Sequence, residues 1–307
     1  MRIIFMGTPD FAVPSLKALV EHHFDVIAVI TAPDKPAGRG NKLLQSAVKA
    51  YALSQNLTIL QPTNLKDPEF IETLRSFQAD LQIVVAFRML PEIVWNMPPL
   101  GTFNLHGSLL PAYRGAAPIN WAIIRGETET GVTTFKLQHE IDTGSILFQT
   151  KEPIYPEDTM GTLYGRLMHL GADLVVRTVQ AIQENNYSPL PQDLKGEYPI
   201  APKINREICE IDWNQPSEHI HNLIRGLSPV PAAWTTLLGK HCKIYKSSLE
   251  IKYPIPEDTS TQIGEYLTDN KKFLYFRTGK GWLSLEELQL EGKKRLEIKA
   301  FLAGNKL

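Results

Sequence analysis

At 307 residues the chain is longer than one ordinary domain of roughly 100–200 residues, so two domains are expected. A composition of 43% hydrophobic and 21% charged residues with a net charge of −1 supplies a buried core, and excludes both a disordered acidic tail and a chain built wholly around a polyanion. Two cysteines, Cys209 and Cys242, exclude a disulfide framework and a four-cysteine zinc site, and no apolar run approaches the roughly 20 residues that span a bilayer.

The chain opens on Ile3–Met6, a run too short for a signal-peptide core, so a soluble cytoplasmic protein without membrane association is expected. Ile3–Met6, Val26–Thr31 and Leu81–Phe87 read as buried strands rich in Ile and Val. Between them Val13–His22, Leu43–Asn56 and Pro68–Phe77 have helical apolar spacing. Gly101–Leu105 and Val132–Leu137 read as further strands, and Thr159–Glu184 as one long helix. This alternation predicts an α/β, Rossmann-like, mostly parallel sheet with helices on both faces over residues 1–186. Residues 187–205 carry Pro189, Pro191, Pro199 and Pro202 and read as an extended linker. Beyond them Ser217–Leu227 reads as a helix. Five short β-like pieces follow, Ala233–Leu238, Cys242–Tyr245, Gln262–Thr268, Phe273–Arg277 and Leu283–Leu290, and point to a small barrel over 206–307. That segment holds 15 Lys and Arg against 13 Asp and Glu, too slight a tilt to argue for nucleic acid by itself.

The turn Gly7-Thr8-Pro9-Asp10 opens a helix after the first strand, a position suited to anions, but the dinucleotide fingerprint G-x-G-x-x-G is absent and nicotinamide chemistry is disfavoured. The informative block runs from Gly101 to Leu147. Asn104 and His106 are two apart and on a strand point the same way, with the polar loop Gly107-Ser108 following at a sheet edge. Asp142, before Thr143-Gly144, is a turn position from which a carboxylate can sit beside the imidazole. An amide, an imidazole and a carboxylate together suit acyl transfer: Asn104 donates to an oxyanion, His106 donates or shuttles a proton, and Asp142 holds the imidazole protonated. His219 and His221 have no third ligand partner and read as helix surface, so no metal is expected.

The string Asn104 to Pro111 (Asn-Leu-His-Gly-Ser-Leu-Leu-Pro), followed by Tyr113-Arg114-Gly115-Ala116-Ala117-Pro118, resembles the formyltransferase family that uses 10-formyltetrahydrofolate. The stretch from Gly131-Val132-Thr133 to Asp142-x-Gly144 is similar to the same family's second signature, and the resemblance covers essentially the whole chain. It implies a C-terminal OB-like β-barrel and a catalytic set of Asn104, His106 and Asp142. It further implies folate contacts from Ser108, Leu109, Leu110 and Pro111 and from the strand-end segment Phe87, Arg88, Met89 and Leu90. That segment departs from the Tyr-Gly pair common among relatives and is similar instead to the Met-Arg-Ile-Leu of the purine-pathway members. The implied reaction moves a formyl group from 10-formyltetrahydrofolate to the amino group of initiator methionyl-tRNA, by a monomer and without metal. The glycine-rich basic loop 32–43 resembles the one with which tRNA-specific members probe the acceptor stem, and makes Arg39 and Lys42 the expected tRNA contacts. The rival expectations are a formyltransferase for an amino sugar nucleotide and a silent tRNA- or folate-binding protein.

Overall fold

The computed structural model describes residues 1–37, 42–256 and 259–307. The chain divides into two compact units. The first comprises residues 1–118, 130–152 and 164–200, and the second residues 119–129, 153–163 and 201–307. In the described residues no helix is long and apolar enough to cross a membrane.

Seven strands form the sheet of the first unit: β1 (Arg2–Gly7), β2 (Asp25–Ile30), β3 (Ile59–Leu60), β4 (Leu81–Val85), β5 (Thr102–His106), β6 (Glu129–Lys136) and β7 (Ile146–Pro153). Their spatial order is β7-β6-β5-β4-β1-β2-β3. The pairs β1/β2, β2/β3, β1/β4 and β4/β5 are parallel, and β6 runs antiparallel to β5. The near-continuous apolar strands follow from burial on both faces: β1 from Ile3 to Met6 and β4 from Leu81 to Val85 are buried throughout. Helices α1 (Val13–Glu21), α2 (Ala47–Ser54), α3 (Pro68–Ser76) and α4 (Met160–Gln183) supply the remaining layers. Around α3 a cluster of Ile4, Met6, Phe70, Ile71, Leu74 and Val84 shows the amphipathic packing its spacing predicts.

One departure from the sequence reading has a local cause. The helix expected from Leu43 begins at Ala47, because Lys42–Leu44 pairs antiparallel with Lys35–Ala37 and the Ser46 hydroxyl caps the helix by accepting from the Lys49 N–H at 3.0 Å. The long helix starts at Met160 and ends at Gln183, close to expectation. Residues 187–200 group with the first unit, where Leu190 exchanges two main-chain hydrogen bonds of 2.8 Å with Ile146.

The second unit is built on β8 (Ala233–Leu237), β9 (Lys240–Ser248), β10 (Tyr266–Thr268), β11 (Leu274–Arg277), β12 (Trp282–Leu290) and β13 (Leu296–Glu297), with helices α5 (Ser217–Leu227) and α6 (Ile298–Gly304). These strands pair with one another antiparallel, in the order β8-β9-β12-β11-β10 with β13 also on β12. Leu283 and Leu285 of β12, and Leu288 and Leu290 beyond an irregularity that shifts the alternation by one residue, meet Ile220, Ile224 and Leu227 of α5 in the core. The strand expected from Gln262 begins only at Tyr266. Residues 262–265 form a turn instead, in which the Glu265 N–H donates to the Gln262 carbonyl and Gly264 takes φ +85°. His221, expected on the helix surface, is half-buried, with Nδ1 2.9 Å from the Ser247 hydroxyl.

Candidate active site

Parallel pairing brings the ends of β1, β4 and β5 level: Gly7 lies opposite Val85 and Val85 opposite Leu105. The sheet changes direction of winding between β1 and β4, so the loops after these strands form the crevice where open α/β sheets take ligands. Asn104 and His106 stand on β5 at this edge, on one face by the two-residue period.

His106 is buried, at 6% exposure. Its Nε2 is 2.9 Å from the Tyr113 carbonyl. A carbonyl only accepts, so Nε2 carries the hydrogen and Nδ1 is left for chemistry. Nδ1 faces the Asp142 Oδ2 across 3.9 Å, an electrostatic contact too long for a direct hydrogen bond. The second partner of that same oxygen is the Gly115 N–H, at 3.0 Å. Asn104 is half-buried, and its side-chain amide has no hydrogen-bond partner among the described residues. The site therefore gathers a free amide donor, a buried imidazole with one free nitrogen, and a pinned carboxylate.

Asp142 does not come from the carboxyl edge. The loop after β6 leaves beside the start of β5, where the Leu137 N–H donates to the Thr102 carbonyl, and then folds back to His106. Three devices hold it. The Gln138 amide donates to the Thr143 hydroxyl, which donates to the Glu140 carbonyl. The Lys136 N–H donates to the Ser145 carbonyl. From outside the loop, Gln192 Nε2 donates to the Asp142 and Gly144 carbonyls, at 2.8 Å each.

The Ser108–Pro111 segment is braced from below by Thr133, which stands opposite His106 in the β5/β6 register. The Thr133 hydroxyl donates to the Ser108 carbonyl at 2.6 Å and accepts from the Leu110 N–H at 3.1 Å and the Gln149 amide at 3.0 Å. One donor and two lone pairs are thus all in use. The Ser108 side chain is itself committed, donating to the Ala112 carbonyl at 2.6 Å, and Leu110 is buried; Leu109 and Pro111 are half-buried. After β4, Ala86 turns the chain with φ +47°. Phe87 is half-buried, Met89 is 73% exposed and Leu90 is buried. Arg88 points away from ligand duty: its guanidinium donates to the Thr63 carbonyl at 2.8 Å and to that of Pro62. Among the described residues the main chain of Phe87–Leu90 makes no hydrogen bond.

Of the residues singled out in the sequence, His106 and Asp142 meet directly, with Asn104 two residues before His106 on the same strand. Arg39 lies outside the described residues, as does the Lys42 side chain. Thr133, Gln149, Tyr113 and Gln192 were not assigned roles. Thr133 belonged to a motif already noticed, whereas a lone glutamine in a proline-rich stretch carries no signal.

A sheet wound in this order, with an imidazole–carboxylate pair and a free amide gathered near its carboxyl edge, suits a group-transfer enzyme of the α/β class. Residues 1–179 match the family model described as Formyl transferase and residues 203–306 the one described as Formyl transferase, C-terminal domain. The chain belongs to the formyl transferase family. It is 53% identical over 307 residues to the methionyl-tRNA formyltransferase of Bacteroides fragilis, covering 99% of this chain and 95% of that one. To the protein of the same name from Flavobacterium johnsoniae it is 51% identical, covering 99% and 96%. Among solved structures it is similar in fold to WlaRD, a sugar 3N-formyl transferase (TM-score 0.64, 23% identity, 96% of this chain and 99% of that one). It is also similar to HypX from Aquifex aeolicus in complex with tetrahydrofolic acid (TM-score 0.64, 20% identity, 98% and 47%).

Proposed function

We infer that this chain transfers the formyl group of 10-formyltetrahydrofolate to the amino group of methionine on initiator tRNA, giving formylmethionyl-tRNA and tetrahydrofolate. The observation that carries the reading is the free Nδ1 of His106 held 3.9 Å from the Asp142 carboxylate, beside the unpartnered amide of Asn104. Relatives more than half identical over nearly the whole chain bear the name of that activity.

In this reading the neutral amine attacks the formyl carbon directly. A nitrogen–carbon bond forms, the carbonyl oxygen takes up negative charge, and the bond to the folate nitrogen then breaks. The amine loses one proton and the departing folate nitrogen gains one. The Asn104 amide and the Nδ1–H of imidazolium His106 donate to the oxyanion, and Asp142 supplies the counter-charge and a site through which the proton passes. The unpaired main-chain donors and acceptors of Phe87–Leu90 suit a flat heterocycle with donors and acceptors along its edge, which supports placing the folate ring there. Ser108, Leu109, Leu110 and Pro111 then contribute shape and main-chain positions more than side-chain hydrogen bonds. Arg39 and Lys42, within the 34–43 loop, contact the acceptor end of the tRNA, and residues 206–307 act as the tRNA-binding module, joined by 187–205 to a catalytic domain of residues 1–186.

The test supplies 10-formyltetrahydrofolate with charged initiator and elongator methionyl-tRNAs, and with an amino sugar nucleotide as control. Formyl incorporation into the initiator tRNA is expected. Formylation of the sugar alone would overturn the reading.

A further inference from the structure

We propose that Gln192 is a positioning residue for the reaction, setting the Asp142 carboxylate against His106 from a segment that carries no other chemistry. The proposal rests on the catalytic reading of Asp142 given above.

Asp142 sits at φ +55°, in the left-handed region that a residue with a Cβ avoids. Such a conformation persists only where the surroundings over-determine it. Its carboxylate has one main-chain donor, Gly115, and its imidazole contact at 3.9 Å has little reach to spare. Beside the Gln138–Thr143 and Lys136–Ser145 contacts within the loop, the clamp from outside it is the Gln192 amide, which donates both hydrogens of Nε2, one to the Asp142 carbonyl and one to that of Gly144. The two acceptors straddle Thr143, so a single planar group clamps the turn on both sides. The assignment of nitrogen and oxygen follows from the partners: the flipped amide would set an oxygen against two carbonyls. Gln192 Oε1 is buried with no hydrogen-bond partner among the described residues. The position thus uses the NH₂ group twice and the oxygen not at all, as expected where donors are what the site requires. Leu190, two residues earlier, pairs with Ile146 through two main-chain bonds and so brings Gln192 alongside the loop.

Replacement by an acceptor of the same shape separates clamp from packing. In Gln192→Glu a carboxylate faces two carbonyl oxygens at neutral pH, while its protonated form regains one O–H donor. Gln192→Ala removes the clamp altogether. Loosening the turn by about 1 Å costs on the order of 10²-fold in the chemical step. We expect Gln192→Ala to lower kcat to that extent with KM for folate and tRNA near wild type. Gln192→Glu should be comparably poor at pH 8 and recover relative to wild type as pH falls, which Gln192→Ala should not. In an Asp142→Asn background, Gln192→Ala should add little further loss. Folate binding and melting temperature report whether each variant is folded. The proposal is overturned by a folded Gln192→Ala with wild-type kcat, by an effect confined to KM, by parallel pH profiles for the two variants, or by an undiminished loss in the Asp142→Asn background. Wild-type kcat in Asp142→Asn alone would instead remove the catalytic role of Asp142 on which the proposal rests, and is distinguishable because it does not involve Gln192.

Discussion

Gly144→Ala perturbs the site through one methyl group. A Cβ built at Gly144 would lie 1.7 Å from the Lys136 carbonyl oxygen and 3.3 Å from the Phe135 ring. An ordinary carbon–oxygen contact is about 3.3 Å, so the turn must move away from the end of β6 by about 1.6 Å. Neither side yields cheaply, because the obstructing atom is main chain and the adjacent Lys136 N–H is bonded to the Ser145 carbonyl at 3.0 Å. Gly144 is also an anchor of the Gln192 clamp, two residues from Asp142. Overpacking of this kind costs about 1–3 kcal/mol. For a unit of this size that lowers Tm by about 2–12 °C. With Asp142 in the proposed role, a displacement of this magnitude beneath its carboxylate should cost on the order of 10²-fold in turnover. Single-turnover formyl transfer measures the second effect and calorimetry the first. Gly165→Ala is the control: it lies within α4, its added Cβ meets nothing within 4 Å, and it should raise Tm slightly without touching turnover. Wild-type turnover and Tm in Gly144→Ala would refute the claim that this turn is sterically closed and coupled to the site.

Asn104→Ala, His106→Ala and Asp142→Ala should each lower turnover by about 10²–10³-fold in steady-state assays while leaving the melting temperature close to wild type; near-normal activity in folded His106→Ala would end the oxyanion mechanism. In the second unit, burial and then the charge of Arg225 push His221 down to about 4 from its ordinary 6.5, against the opposing pull of Glu286 and Glu218. The unfolded chain therefore binds the proton more readily, and the contribution of neutral His221 is complete above pH 6.5 and lost as pH falls toward 4. Melting curves should show a smaller acid-induced drop in His221→Asn than in wild type over that window. Arg39→Ala should weaken use of initiator tRNA and spare folate affinity, as measured by separate binding titrations. Affinity of the full chain for tRNA should fall with salt, and neutralising a phosphate-contacting lysine of 206–307 should reduce the log–log slope by about 0.7–0.9, which a binding series across salt concentrations reads directly.

What was legible in the sequence is what local patterning controls. β1, β2 and β4 are buried on both faces, so each is an apolar run, and the two-residue spacing of Asn104 and His106 sets both on one face without further knowledge. The start of the second helix was misread because Leu43 and Leu44 look like the beginning of an amphipathic helix. Both are 65% exposed, and pairing rather than burial decides their conformation. Ile146–Pro153 was not foreseen as a strand because it lies at the sheet edge, where three of its eight residues are exposed, only one is buried, and the apolar signal lapses.

The site itself was half legible for a related reason. Asn104 and His106 are close in sequence and share a strand, whereas the His106–Asp142 contact depends on a loop that begins at the far end of β5 and returns across it. Composition and spacing offer Asp142 as a turn position from which a carboxylate can reach an imidazole, and the family signature is what tied it to His106. The supports are further removed still. Gln192 is 50 residues from the turn it clamps, and Thr133 acts through a hydroxyl whose three hydrogen bonds all reach other segments. Groups that touch reactants fall in recognisable strings because they must sit at one strand end. The groups that orient them are chosen by reach, and any chain segment passing within about 3 Å of the right carbonyl can supply them.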